Sequence, residues 1–191
     1  MRWIPFVILV YLVILIQTTL GRVLTFSGGG LGMIGPDLAA IVAVFIALRL
    51  RDGTEVAIAA WTLGLAVDLT TPGGVGLVTA VGPMSLGYCL AVSAVYRTRD
   101  AFFRERPASQ AMLTLMFCLI AHALWVSLQT VFAQGVTRSW GNYGEALVQA
   151  MLLSAYTAVL APLGCWVLTR CERILIPVQA GRARRGRGRT W

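Results

Sequence analysis

Residues 111–133 read AMLTLMFCLIAHALWVSLQTVFA, a run that contains no aspartate, glutamate, lysine or arginine. A helix of about 20 such residues crosses the hydrocarbon core of a bilayer, which is about 30 Å thick. A second uncharged apolar run, Ala146–Leu168, follows after a short polar stretch. These two runs predict membrane-spanning helices, and they decide the fold class.

The composition of the whole chain supports this prediction. Hydrophobic residues make up 58% of the 191 residues and charged residues 13%, whereas an average soluble domain has about 45–50% and about 25%. Sixteen basic and eight acidic residues are too few to cover the surface of a soluble protein of this size. We therefore expect an integral membrane protein, and not a soluble enzyme, a secreted disulfide scaffold or a disordered chain.

Four further apolar stretches precede these two, which predicts an all-α membrane protein with six transmembrane helices. The second and third stretches are short, so they could instead form a re-entrant hairpin. The turn between them carries Arg49, Arg51, Asp52 and Glu55, and each charge at the bilayer centre costs about 2.5–3.5 kcal/mol. Two short crossings are therefore expected. The six predicted spans are Trp3–Leu20, Pro36–Leu50, Thr54–Leu69, Leu77–Val95, Ala111–Ala133 and Ala146–Leu168.

The basic residues, all of them arginine, predict the orientation of these helices. Six spans place both termini on one side of the membrane, and every arginine except Arg22 and Arg138 lies on that side. The positive-inside rule then makes both termini cytoplasmic. Residues 1–169 would form the transmembrane domain, and residues 170–191 an arginine- and glycine-rich cytoplasmic tail that cannot pack a core and is expected to be disordered.

Two carboxylates lie at the predicted outer ends of spans. Asp37 opens the second span, where a helix N-cap accounts for it. Asp68 closes the third span on the same helical face as Ala60 and Gly64, whose small size lets another helix approach closely. Asp68 could bind an ion or a substrate, but we favour a structural role in which it accepts hydrogen bonds from the following turn, Thr70–Gly76.

Other candidates for chemistry are weak. The only histidine, His122, could serve a proton relay in the fifth span. No acidic partner for it is visible in the sequence, so a neutral imidazole hydrogen-bonded between helices is favoured. The segment Gly30–Gly35 matches G-x-G-x-x-G, but a membrane helix precedes it instead of a strand. The cysteines form no C-x-x-C pair. We predict no catalytic residue, cofactor, metal or nucleic-acid partner.

Four motifs lie between Gly35 and Ala91. They are Pro36-Asp37 before an apolar run that ends at Arg49, Gly64-Leu-Ala-Val-Asp68-Leu, the turn Pro72-Gly73-Gly-Val-Gly76-Leu, and Gly87-Tyr88. This pattern resembles the MreD family of rod shape-determining membrane proteins, and it covers about a third of the chain. The last two spans are similar to the family in length and hydropathy.

The resemblance implies a bacterial inner-membrane scaffold without catalytic activity. Such proteins pair with the bitopic protein MreC and belong to the rod complex with the actin-like MreB, the glycosyltransferase RodA and a class B penicillin-binding protein. The implied fold is similar to the S components of energy-coupling-factor transporters, so a small-molecule-binding S component is the alternative function. Its pocket would have to use Asp68, Thr70, Thr71, His122, Gln129 and Asn142.

The expected interaction residues form two groups. The first contacts a membrane partner or shapes the outer surface beneath it: Pro36, Asp37, Ala60, Gly64, Asp68, Pro72, Gly73 and Gly76. The second contacts anionic lipid or cytosolic proteins: Arg97, Arg99, Arg104, Arg106, Arg182, Arg184 and Arg185. Each positive charge near an anionic membrane surface contributes about 1 kcal/mol of binding.

Overall fold

A computed structural model describes residues 3–19, 24–27, 33–70, 81–99, 106–134 and 143–175. Within these ranges six helices make up most of the chain, and the strands amount to two residues in each of two short segments, which confirms the predicted all-helical class. The helices are α1 (Trp3–Thr19), α2 (Leu38–Arg49), α3 (Gly53–Thr70), α4 (Pro83–Thr98), α5 (Pro107–Gln134) and α6 (Tyr143–Leu175). The strands β1 (Phe26–Ser27) and β2 (Met33–Ile34) pair antiparallel.

Helix α2 lies at the centre of the bundle. Its sequence, LAAIVAVFIALR, is apolar on every side, and all residues from Ala39 to Leu48 are buried. A helix without a polar face is either enclosed by other elements or exposed to lipid, and α2 is enclosed, because it contacts α1, α3, α4, α5 and α6. Its 12 residues make it about 18 Å long. This is shorter than the about 30 Å that a helix has to cover to cross a bilayer.

Two helical segments are long and apolar enough to cross a membrane, by length and composition: Pro107–Val131 and Tyr143–Arg170. The segments Ile4–Thr19 and Leu38–Arg49 are apolar but shorter. Each of the five helices around α2 also presents large apolar side chains outward, and Ile4 of α1 and Val159 of α6 are 79% and 76% exposed. An apolar outer surface of this extent marks a site of contact with lipid or with another protein. Six complete crossings and two cytoplasmic termini stay predictions.

The connection between α2 and α3 is a polar turn. The Asp52 side chain accepts hydrogen bonds from the hydroxyl and the main-chain N–H of Thr54, at 2.8 and 3.0 Å, and so caps the start of α3. These two bonds, the hydroxyl bond first, hold the pKa of the exposed Asp52 carboxyl below its ordinary value. The cap is therefore present at neutral pH, and it weakens as the pH falls through that lowered pKa.

Arg99, directly after α4, does not make the predicted contact with lipid or cytosolic proteins. Its side chain is only 7% exposed, and its Nη1 donates to the carbonyl oxygens of Ala47 and Leu50 at the end of α2. The guanidinium also lies 3.8 Å from the centre of the Tyr96 ring. A cation at a helix C-terminus stabilises the free carbonyls there. Arg99 thus binds protein backbone inside the bundle, and its burial leaves little of the side chain for a partner outside.

The other predicted arginine contacts stay predictions. Arg97 and Arg106 are exposed, as a lipid or cytosolic contact requires. Arg104 and the tail residues Arg182, Arg184 and Arg185 lie outside the described residues. Helix α6 continues to Leu175, past the predicted domain boundary at residue 169, because a helix does not have to end where an apolar run ends.

Helices α3 and α4 pack with their backbones in contact. A Cβ atom on Gly64 would lie 2.6 Å from Ser85 Cα and 2.9 Å from the Met84 carbonyl oxygen, so only glycine fits there. Ala60, one turn earlier, is also buried. The close helix approach predicted from these small residues is observed, and the neighbour is the start of α4. Gly87 allows α4 a similar approach to α5, where its Cβ would lie 2.9 Å from the Ala121 carbonyl oxygen.

Replacement of Gly64 by alanine should therefore destabilise the fold. The added methyl group meets backbone atoms, which cannot rotate away, and overpacking of this kind typically costs about 1–3 kcal/mol. The matched control is Gly144→Ala in the first turn of α6, where a Cβ atom meets nothing within 4 Å. Thermal unfolding of both variants in one detergent should show a lower midpoint for Gly64→Ala only. Equal midpoints would contradict the packing described for α3 and α4.

Candidate functional site at the buried start of α2

Asp37 is the N-cap of α2. Its backbone is extended, and its Oδ1 accepts a hydrogen bond from the Ala40 N–H at 3.1 Å. This bond satisfies one of the N–H groups that a helix start leaves without an intrahelical acceptor. The capping role predicted for Asp37 is confirmed. The carboxylate is nevertheless unusual for a cap, because the residue is only 4% exposed.

The same residue also joins α2 to three other helices. The Tyr88 hydroxyl of α4 donates to Asp37 Oδ2 at 2.6 Å. His122 of α5 places its Nε2 3.6 Å from that oxygen. The main-chain N–H of Asp37 donates to Thr157 Oγ1 of α6 at 3.0 Å. We call Asp37, Tyr88, His122 and Thr157 the α2-start cluster.

Helix α1 completes the capping of α2. The Ala39 N–H donates to Gln17 Oε1 at 3.3 Å, so the N–H groups of Asp37, Ala39 and Ala40 all have side-chain acceptors. A buried N–H without an acceptor costs about 1–3 kcal/mol. The polar side chains of α1 and α6 therefore make it possible to bury the start of α2 inside an apolar bundle.

His122 is oriented by a bond to its own helix. Its Nδ1 lies 2.8 Å from the Cys118 carbonyl oxygen, one turn earlier. A carbonyl oxygen can only accept, so Nδ1 carries the hydrogen and Nε2 faces Asp37. The sequence-based interpretation that His122 lacks an acidic partner is wrong. The packing of α2 against α5 brings together two residues that are far apart in the chain.

Asp68 of α3 caps a different helix, α4. Its Oδ2 accepts from the N–H groups of Gly82, Met84 and Ser85 at 2.9, 3.1 and 3.2 Å. Gly82 has no side chain to cap its own helix, and its φ of 122° lies in the region that favours glycine. Asp68 thus has a structural role, as favoured from the sequence. The observed partner is the start of α4, and residues 71–76 of the turn expected to donate lie outside the described residues.

The predicted interaction residues lie mainly inside the bundle. Pro36, Asp37, Ala60 and Gly64 are buried, and Asp68 is partly buried. These residues determine how the helices meet, but they do not offer an outer surface to a partner. Pro72, Gly73 and Gly76 lie outside the described residues.

The α2-start cluster has the chemistry of a joint between helices. Tyr88 and Thr157 are fully buried and His122 is 7% exposed, so the side chains face one another and not an external ligand. In the described part of the chain, no three His, Cys, Asp or Glu side chains are grouped so that they could hold a metal ion. Cys89, Cys118 and Cys165 are free thiols.

Comparisons with protein-family models, with curated proteins and with solved structures give no match to this chain. A functional assignment therefore has to rest on the residues and on their geometry.

The bond between Tyr88 and Asp37 can be measured with a double-mutant cycle. Tyr88→Phe should lower the unfolding free energy by about 1–3 kcal/mol, because it removes a donor from a buried carboxylate. With Asp37→Asn as the second change, the two residues should show a coupling of about 0.5–3 kcal/mol. Tyr11→Phe on the exposed side of α1 is the control, with an effect within about 0.5 kcal/mol. A coupling near zero would mean that the bond does not stabilise the fold.

Proposed function

We propose that this chain is a multi-pass scaffold protein of the bacterial inner membrane that acts in cell elongation, as members of the MreD family do. It would have no catalytic activity of its own. One observation carries the proposal: the motifs behind the resemblance are the residues that join the helices. Asp37 of the first motif binds Tyr88 of the last at 2.6 Å. Gly64 and Asp68 of the second motif hold the start of α4.

The burial of the polar groups supports a scaffold over an enzyme. An enzyme needs a reactive side chain that a substrate can reach, whereas the four residues of the α2-start cluster are buried. A scaffold needs a defined outer shape, and two capped helix starts together with two glycine contacts provide it.

The partner surface would be apolar. Helices α3 and α4 present Ile58, Trp61, Leu86 and Leu90 outward. Lipid tails are as apolar as these side chains, so a partner helix has to bind by close packing rather than by a hydrophobic driving force. We propose that the single membrane helix of an MreC-like protein packs against the outer side of α3 and α4. Asp68 and Gly64 would act indirectly, because they fix how these two helices pair.

The cytoplasmic partners would meet the arginine-rich side. The exposed Arg97 and Arg106 lie at the two ends of the α4–α5 connection, where anionic lipid or an MreB-like filament could contact them. RodA and a class B penicillin-binding protein would join the same complex within the membrane.

The alternative, an S component of an uptake transporter, needs polar side chains that are free to line a pocket. Asp68 already accepts three backbone N–H groups, and His122 is engaged by Asp37 and the Cys118 carbonyl. Two of the six candidate ligands therefore serve the bundle. A vitamin or metal ion that co-purified with the protein would favour the transporter function instead.

Replacement of Asp68 by alanine should weaken the assembly and disturb cell shape. The variant leaves the start of α4 uncapped, and loss of an N-cap costs about 0.5–2 kcal/mol. The matched control is Asp52→Ala, which removes the exposed cap of α3 at the other end of that helix. At equal protein amounts in the membrane, cells with Asp68→Ala should be wider and rounder, and several-fold less MreC-like partner should co-purify.

Cells with Asp52→Ala should keep their rod shape and their bound partner. Normal shape and normal co-purification with Asp68→Ala would contradict the role assigned to the α3–α4 pair. If the folded wild-type protein itself bound no such partner, that result would contradict the proposed function.

A further inference from the structure

The position of one proton decides whether the contact between Asp37 and His122 is attractive. Asp37 Oδ2 and His122 Nε2 are 3.6 Å apart, and the two side chains are 5% and 9% exposed. In a region from which water is excluded, a carboxylate needs either a positive partner or enough hydrogen-bond donors.

The hydrogen on Nδ1 of His122 is already committed to the Cys118 carbonyl oxygen. Nε2 is consequently either a bare nitrogen with a lone pair or a second N–H. A lone pair directed at a carboxylate oxygen is repelled by it, whereas an N–H is attracted. The observed orientation of the ring is favourable only when Nε2 carries a proton.

The bonds to Asp37 show which of the two groups holds that proton. Oδ1 accepts from the Ala40 N–H and Oδ2 accepts from the Tyr88 hydroxyl. Both bonds favour the ionised carboxylate, as does the positive end of the α2 dipole. A proton in this contact therefore belongs on the imidazole.

The groups from the other helices that act on Tyr88 or bond to the start of α2 are acidic or neutral. The titratable groups that act on Tyr88 of α4 are Asp37, Cys118 of α5 and Asp68 of α3, all of them acids. Helix α6 contributes the Thr157 hydroxyl and α1 the Gln17 amide, which are neutral. Among these groups only His122 can carry a positive charge.

We propose that Asp37 and His122 form a proton-binding site, in which a proton on His122 Nε2 makes an imidazolium that pairs with the Asp37 carboxylate. The bound proton holds α5 to the start of α2. When the proton leaves, a lone pair faces a carboxylate and the link between the two helices weakens. The site stands on this geometry alone, so it is independent of the proposed scaffold function.

Nitrogen NMR of the full chain tests the proposal directly. His122 is the only histidine, so labelling with ¹⁵N-histidine gives one pair of ring-nitrogen signals. At neutral pH both ring nitrogens should carry a hydrogen. Tyr88→Phe keeps Asp37 and should keep both hydrogens, whereas Asp37→Asn should leave Nε2 bare. A bare Nε2 in the wild-type protein at neutral pH would overturn the proposal without any variant.

Discussion

A buried helix start has to find acceptors for its free N–H groups, and in this chain that constraint falls on α2. The helix is apolar on every side and enclosed by the other five, so water cannot satisfy its first turn. Side chains do so instead: Asp37 at the N-cap of α2 itself, Gln17 from α1 and Thr157 from α6. Because those side chains come from different helices, the capping of one short helix also sets the positions of its neighbours.

Three further charged residues serve the same purpose elsewhere. Asp52 caps α3 from its own turn, and Asp68 of α3 caps α4. Arg99 binds the carbonyls at the other end of α2, so this helix has an acid at its start and a cation at its end, which suits its dipole. In a chain with 13% charged residues, such contacts hold short helices in place.

Much of this architecture could be predicted from the sequence, for identifiable physical reasons. The helices follow from long apolar runs, the cap at Asp37 follows from its place before such a run, and the close contact at Gly64 follows from small residues spaced by one turn. The partner of His122 could not be predicted, because it depends on how α2 and α5 pack. The sequence did contain an indication of this pair. Asp37 and His122 both lie in apolar surroundings, and a buried polar side chain needs a partner.

Arg99 could not be predicted for a related reason. It is two residues from the exposed Arg97, in a segment whose charges are typical of a solvated loop. Only the packing of α4 against the end of α2 turns one of these side chains inward.

We expect the enclosed α2, with its capped start, to open less readily than α1, α3 or α4. Hydrogen–deuterium exchange of the full chain in a membrane mimetic measures this directly, because exchange of buried, bonded amides requires the largest opening of the structure. A peptide covering Asp37 to Arg49 should exchange more slowly than peptides from α1, α3 or α4. Exchange of the amides of Ala39 and Ala40 as fast as those of an exposed turn would contradict it.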